Sequence, residues 1–93
     1  MTAQFTTDEH DHEVRQQALR LLSQGYQIKA RLEGWFDPPE FINGYRPDIV
    51  ARKGDEYIII EVKKADTDWP KIAALERFRG ENPKFKFVVV TLK

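Results

Sequence analysis

Three residues in the middle of the chain, two acids and an amine, have side-chain types and a spacing that could carry chemistry. Asp48 follows a proline, and Glu61 and Lys63 lie two residues apart in an apolar stretch further along. Carboxylates are ligands that Mg²⁺ accepts, and an ammonium group beside them can offset developing negative charge. Because two acids and an amine among apolar residues are costly to desolvate, their presence favours a functional role.

The segment 45–64 is expected to hold these side chains on two adjacent strands. It reads YRPDIVARKGDEYIIIEVKK, with a polar turn at 52–55. Side chains alternate between the faces of a strand, so Glu61 and Lys63 are predicted to share one face. The opposite face is aliphatic and consists of Ile58, Ile60 and Val62. A strand that is apolar on both faces is typical of a central position in a covered sheet.

The sequence before this segment predicts a helix and a strand. A flexible lead-in over residues 1–6 precedes a helix over about 7–24, with a capping box at its start and Gly25 at its end. One apolar stripe marks the buried side of this helix: Val14, Ala18, Leu21 and Leu22. Alternating polar and apolar residues predict a half-buried strand over 26–34.

The sequence after the segment predicts a second helix and a last buried strand. N-cap candidates at 66–68 begin the helix, Gly80 ends it, and the strand covers 85–92. The fold class is therefore α/β, with element order αβββαβ and a mixed four-stranded sheet flanked by helices. A right-handed crossover makes the third and fourth strands parallel neighbours. Residues 1–93 are expected to form one domain.

Composition narrows the class of protein. With no cysteine, the chain holds no disulfide and no thiolate metal site. The N-terminus is polar and acidic and lacks the apolar region of a signal peptide, and no apolar run approaches the roughly 20 residues that span a bilayer. A cytoplasmic protein without membrane contact is predicted. Lys and Arg number 15 against 15 Asp and Glu, so nucleic-acid binding would need a local basic patch.

The pattern of Pro47-Asp48 followed by Glu61-Val62-Lys63, in an αβββαβ chain, resembles the PD-(D/E)XK nuclease superfamily. This group includes restriction endonucleases and archaeal Holliday-junction resolvases. The resemblance implies that Asp48 and Glu61 bind Mg²⁺, with Mn²⁺ able to substitute, and that the Val62 carbonyl completes the coordination. It also implies that Lys63 positions or deprotonates the attacking water. Many members place a glutamate on the first helix, for which Glu13 is the best match and Glu9 the alternative.

The function implied by this resemblance is metal-dependent endonucleolytic hydrolysis of DNA. Candidate nucleic-acid contacts are Arg46, Arg52, Lys53 and Lys64, and further candidates for phosphate contact are Lys71, Arg77 and Arg79. Because specific protein–DNA interfaces bury about 1,000 Å² or more, a chain of this size is expected to act as a homodimer or with a recognition subunit.

Two other interpretations remain open at this point. The chain is alternatively a catalytically weak or inactive nuclease-fold subunit of a nucleic-acid-processing complex, as its neutral charge and the aromatic residues in 35–45 suggest. It is otherwise an unrelated αβ domain in which Glu61 and Lys63 form a simple ion pair. His10 and His12 are two residues apart and fall on different helix faces, so we expect them to be solvated and not to share a metal.

Overall fold

The chain folds into the six elements that the sequence predicts. The computed structural model describes residues 2–64 and 69–92, with side chains from residue 9 onward within those ranges. The elements are α1 (Thr2–Ser23), β1 (Gln27–Ala30), β2 (Ile49–Lys53), β3 (Glu56–Lys64), α2 (Trp69–Glu81) and β4 (Phe85–Leu92). The predicted αβββαβ order is confirmed, and the N-cap candidates at 66–68 lie outside the described residues.

The four strands form one mixed sheet in the order β1-β2-β3-β4. β1 pairs with β2 and β2 with β3 in antiparallel fashion, whereas β3 and β4 are parallel. The register of the β2–β3 pair places Ile49 opposite Ile60. The predicted sheet type and the parallel neighbours are confirmed, and β3 is an internal strand as expected.

The two helices cover opposite faces of the sheet. On one face, Val14 and Ala18 of α1 pack in a cluster that includes Ile60 and Val62 of β3. On the other face, Leu75 of α2 packs in a second cluster that includes Ile59 of β3. The predicted alternation along β3 is thus confirmed, and the strand is enclosed because each face carries aliphatic residues that must be removed from water.

Several predicted boundaries are wrong. α1 begins at Thr2, so the capping box predicted near Thr6 does not start it. β1 ends at Ala30, because a turn in which the Trp35 amide donates to the Leu32 carbonyl interrupts the predicted 26–34 strand. α2 continues past Gly80 to Glu81. The Asn82 side-chain amide then donates to the Phe78 carbonyl over 2.8 Å, satisfying a backbone acceptor at the helix end.

β4 differs from the expected buried strand. It pairs with β3 alone within the described sheet and lies at the sheet's edge. Val88 is 43% exposed and Val89 36% exposed. A run of aliphatic residues therefore does not by itself separate a central strand from an edge strand. In the described ranges, no helix is both long enough and apolar enough to cross a membrane.

Candidate active site

Asp48 lies just before β2, where its backbone and side chain are both fixed by β3. Its amide donates to Oε1 of Glu61 over 3.2 Å, and the Val62 amide donates to Oδ2 of Asp48 over 2.9 Å. The Asp48 carbonyl accepts a hydrogen bond from the Arg31 amide over 2.9 Å. At this end of the β2–β3 pair, the backbone amides of Asp48 and Val62 therefore donate to carboxylates and not to backbone carbonyls. These two hydrogen bonds hold the side chains of Glu61 and Asp48 in one orientation.

The three predicted chemical residues are buried at this end of the sheet. Asp48 is 0% exposed, Glu61 2% and Lys63 5%. Burial raises the pKa of Glu61 to about 7, and the nearby charge of Asp48 adds to this effect, while a hydrogen bond from Lys71 opposes it. Burial also acts to raise the pKa of Asp48, but the hydrogen bond and charge of His10 outweigh it, and the net pKa is lowered. Asp48 is therefore the carboxylate that stays ionised.

His10 reaches this site from α1, contrary to the expectation that it is solvated. Its Nε2 lies 3.1 Å from Asp48 Oδ2 and 3.0 Å from the Val62 carbonyl oxygen. Both partners are acceptors, so Nε2 carries a proton and donates to them. The hydrogen bond to Asp48 raises the pKa of His10 to about 9, against an opposing effect of burial. The site therefore holds an imidazolium beside the ionised Asp48.

Lys71 of α2 reaches the site from the other face of the sheet. Its Nζ lies 2.7 Å from Oε2 of Glu61, and the two side chains are 12% and 2% exposed. Lys71 was a candidate phosphate contact, and in the structure it is the counterion of Glu61. A buried carboxylate without such a partner would be costly, so this pair keeps Glu61 in place.

One oxygen of Asp48 is left without a hydrogen bond. Oδ1 is buried and has no hydrogen-bond partner among the described residues. Nη1 of Arg31 lies 3.9 Å from this oxygen, too far for a hydrogen bond. A buried carboxylate oxygen that accepts no hydrogen bond retains its capacity to bind a hard cation.

These donors fit a cation that completes its coordination with water. Among the described residues, no three His, Cys, Asp or Glu side chains are grouped closely enough to hold a metal ion. Mg²⁺ usually keeps several waters and takes only one or two protein carboxylates. Asp48, Glu61 and the Val62 carbonyl are donors of the type that such an ion takes, and they are the candidate ligands here.

Lys63 packs beneath an aromatic ring from the start of α2. Its Nζ lies 4.0 Å from the centroid of the Trp69 ring and donates to the Lys64 carbonyl over 3.1 Å. A cation over an indole face is stabilised by the ring's electron density. Trp69 itself is 59% exposed, so it forms the outer wall of the site next to the Lys63 ammonium.

Neither glutamate proposed as a first-helix ligand has a hydrogen bond or ion pair to the site acids among the described contacts. Glu13 accepts a hydrogen bond from the Gln17 side chain over 2.7 Å. His10, one turn earlier, is the α1 residue that contacts Asp48 and Val62. A metal-binding role for Glu13 stays a prediction, and Glu9, the alternative, is exposed.

The four predicted nucleic-acid contacts divide into two pairs. Arg46 and Lys64 flank the site in the sequence, next to Pro47 and Lys63, and Arg46 lies over the Phe41 ring at 4.4 Å. Arg52 and Lys53 lie at the far end of β2, and Lys53 is roughly 17 Å along the strand from Asp48 at about 3.4 Å per residue. Lys53 donates to the Gln24 carbonyl over 2.9 Å. The two pairs therefore cannot contact the same phosphate.

Sequence reasoning missed His10 and the ion-pair role of Lys71. The signal for His10 was present in the helical period, because His10 lies four and eight residues before Val14 and Ala18 on the buried stripe of α1. Lys71 gave a weaker signal: its position near the start of α2 says nothing about which strand residue it meets.

A model of the AHJR-like family, described as REase_AHJR-like, matches residues 2–93. The chain belongs to this restriction-endonuclease-like family. The resemblance to the PD-(D/E)XK nuclease superfamily is confirmed by this match, which covers the first helix, all four strands and the acidic site. Membership supports a nuclease-type function.

Comparisons with individual proteins give less information about function than the family match does. No curated protein matches the chain. Among solved structures, the chain is similar to the 1.6 Å structure of Hjc, a Holliday junction resolvase from the archaeal hyperthermophile Archaeoglobus fulgidus. The two share 20% sequence identity and a TM-score of 0.49, over 85% of this chain and 67% of Hjc.

Proposed function

We propose that this protein is a metal-dependent endonuclease that hydrolyses DNA phosphodiester bonds in the cytoplasm through Asp48, Glu61 and Lys63. The observation that supports it most is the buried Oδ1 of Asp48, which lacks a hydrogen-bond partner among the described residues. Leaving such an oxygen unpaired costs about 1–3 kcal/mol or more, which a bound cation would offset. Membership of a restriction-endonuclease-like family supports the same activity.

Asp48, Glu61 and the Val62 carbonyl would hold Mg²⁺, for which Mn²⁺ substitutes. When bound, the ion supplies Lewis acidity and lowers the pKa of a water molecule. Oxygen donors of this kind suit both ions. Glu13 remains a further candidate ligand from α1.

Lys63 supplies a positive charge where the phosphodiester is attacked. Because its ammonium is buried beneath Trp69, little water screens it, and it can orient the attacking water and stabilise negative charge on the phosphate oxygens. In the reaction the water oxygen bonds to phosphorus, one ester P–O bond breaks, and the products are a phosphomonoester and a hydroxyl. No covalent enzyme intermediate is needed.

The DNA contacts nearest the site come from the basic residues around it. Arg46 and Lys64 are next to site residues in the sequence, and Arg31 lies 3.9 Å from Asp48. Arg52 and Lys53 would contact a more distant part of the duplex. A specific DNA interface buries about 1,000 Å² or more of protein, which is roughly one sixth of the 6222 Å² surface of this chain. Because that is a large share for one small chain, we propose that a second copy or a recognition subunit supplies part of the interface.

Nicking of supercoiled plasmid and cleavage of branched DNA in Mg²⁺ or Mn²⁺ test this function. Cleavage by the wild-type protein should fall at least about 100-fold in Asp48→Asn and Lys63→Met, as when one electrostatic group is removed from an active site. Lys86→Met is the matched control, since Lys86 is exposed on β4. Equal activity in Lys63→Met and Lys86→Met would contradict the assignment of Lys63.

A nuclease-fold interaction subunit with weak or no catalysis is the second candidate. Two observations favour it: Glu61 is already paired with Lys71 over 2.7 Å, and Trp35 and Phe41 are 60% and 63% exposed. Large exposed aromatic residues suit protein contacts or stacking on unpaired bases. Wild-type protein that binds branched DNA in Mn²⁺ but leaves it uncut would support this candidate over the endonuclease.

A further inference from the structure

The second helix holds an ammonium group against one oxygen of the second acid. Nζ of Lys71 is 2.7 Å from Oε2 of Glu61, and the two side chains are 12% and 2% exposed. Leu75, one turn after Lys71, is fully buried and packs with Ile59 of β3. Residues four apart lie on the same side of a helix, so the packing of Leu75 also directs Lys71 toward the sheet. The core therefore fixes the ammonium group beside Glu61.

The four carboxylate oxygens of the two acids differ in what they contact. Oε1 of Glu61 accepts a hydrogen bond from the Asp48 amide, and Oε2 contacts Lys71. Oδ2 of Asp48 accepts hydrogen bonds from the Val62 amide and from His10. Oδ1 of Asp48 is buried and has no hydrogen-bond partner in the described part of the chain. A cation can therefore enter at Oδ1 without displacing a side chain, whereas at Oε2 it meets Lys71.

An ammonium group and a divalent cation compete for the same carboxylate oxygen. Two positive charges that share one buried oxygen repel each other, and the repulsion is stronger where water is excluded. Sites that use two ions on phosphate esters hold them about 3.5–4 Å apart, where they stabilise the attacking and leaving oxygens. A lysine carries a compact point charge on a flexible stem, so it is able to supply one of these two positive charges itself.

We propose that Lys71 takes the place of a second divalent cation and so limits the site to one ion. The inference rests on the proposed function, because it assumes that Asp48 and Glu61 hold an ion. That ion enters on the side of Asp48 Oδ1, while Lys71 stays on Oε2 of Glu61. Lys71 acts through Glu61, which makes it a positioning residue that also carries a fixed positive charge.

The competing role for Lys71 is that of a structural counterion with no influence on the cation. In both roles Lys71→Met lowers the stability of the metal-free protein, so stability in a chelator does not separate them. The number of bound ions does. In the structural role the variant binds as many ions as the wild type, whereas under the proposal the loss of Lys71 frees Oε2 of Glu61 and admits a second ion.

Titration calorimetry of the full chain with Mn²⁺ counts the ions that each variant binds. We expect one ion per chain in the wild type and two in Lys71→Met. Lys71→Arg, which keeps the positive charge, should bind one ion. Lys86→Met is the matched control and should also bind one, because it removes an exposed lysine of β4. Lys71→Gln, which keeps a hydrogen-bond donor without the charge, takes the place of Lys71→Met if that variant does not fold.

Electron paramagnetic resonance of the Mn²⁺-saturated proteins gives a second readout. Two Mn²⁺ ions about 3.5–4 Å apart couple magnetically, so the coupling should appear in Lys71→Met and be absent from the wild type and from Lys71→Arg. Two ions in the wild type, or a single ion in the variant that lacks the charge, would overturn the proposal. If Asp48→Asn abolishes Mn²⁺ binding in that case, the proposed metal site stands and Lys71 is only structural. Wild-type protein that binds no Mn²⁺ overturns both.

Discussion

His10 of α1 donates from Nε2 to Oδ2 of Asp48 over 3.1 Å, and this contact joins the first helix to the acidic end of the sheet. The imidazole side chain is 30% exposed and that of Asp48 1%. His10, which orients Asp48, belongs to α1, and α1 also covers the hydrophobic core. The geometry of the candidate site therefore depends on how α1 packs on the sheet.

The His10–Asp48 contact predicts that the metal-free protein becomes less stable as the pH rises from about 6.5 to about 9. The pKa of His10 is raised from 6.5 to about 9 in the folded chain. The folded state therefore binds more protons in that window, and its extra stability is complete below the unfolded pKa and lost above the folded one. Partial exposure reduces the loss to about 1–2 kcal/mol.

Urea denaturation in a chelator at several pH values measures this effect. His10→Gln should remove the decline between these pH values, whereas His12→Gln should retain it. A decline of equal size in both variants would mean that another group causes it.

The Lys71–Glu61 pair predicts a second stability effect. Lys71→Met removes the counterion of a carboxylate that is 2% exposed and should lower the free energy of unfolding by about 2–3 kcal/mol at pH 8. The pKa of Glu61 is already raised from 4.5 to about 7, so the folded state favours protonated Glu61 and its stability falls as the pH rises through that range. The loss in Lys71→Met should therefore be smaller at pH 5.

Two variants act as controls for this pair. Arg77→Met changes an exposed residue of α2 and should cost no more than about 0.5 kcal/mol. Adding Glu61→Gln to Lys71→Met should restore most of the lost stability, because the carboxamide carries no charge. A Lys71→Met variant as stable as Arg77→Met would show that the pair contributes nothing.

Trp69 is predicted to affect cleavage without affecting the fold. Its ring lies over the Lys63 ammonium at 4.0 Å, and its side chain is largely exposed. A cation–π contact contributes about 0.5–2 kcal/mol, so Trp69→Ala should lower the cleavage rate by roughly 2- to 30-fold. Lys86→Ala is the control, because Lys86 is exposed on β4. Equal rates for the two variants would remove Trp69 from the site.

Leu75 is predicted to anchor α2, and with it Lys71, on the sheet. It is 0% exposed and packs with Ile59 and Ile42. Leu75→Ala should lower the free energy of unfolding by about 2–5 kcal/mol, because a cavity remains between the helix and the sheet. The prediction that Leu22 lies on the buried stripe of α1 is wrong, because its side chain is 47% exposed. Leu22→Ala should therefore cost less than about 1 kcal/mol. Similar denaturation midpoints in both variants would contradict the packing of Leu75 between α2 and the sheet.

Local patterns in the sequence determined the element order and the faces of β3. Alternation along β3 placed Glu61 opposite Val62, and the helix that follows β3 made β4 its parallel neighbour. These features depend on the period of a strand and the handedness of a crossover, which neighbouring residues specify. The pattern around Asp48, Glu61 and Lys63 also indicated the family.

Only the tertiary structure decided which side chains meet the two acids. His10 reaches Asp48 across 38 positions, and Lys71 pairs with Glu61 from the opposite face of the sheet. No local period contains these contacts, because they depend on how α1 and α2 are rotated and shifted when they pack on the sheet. Aliphatic residues fix that packing by leaving water, and the charged groups are then carried to positions that their own sequence neighbours do not specify.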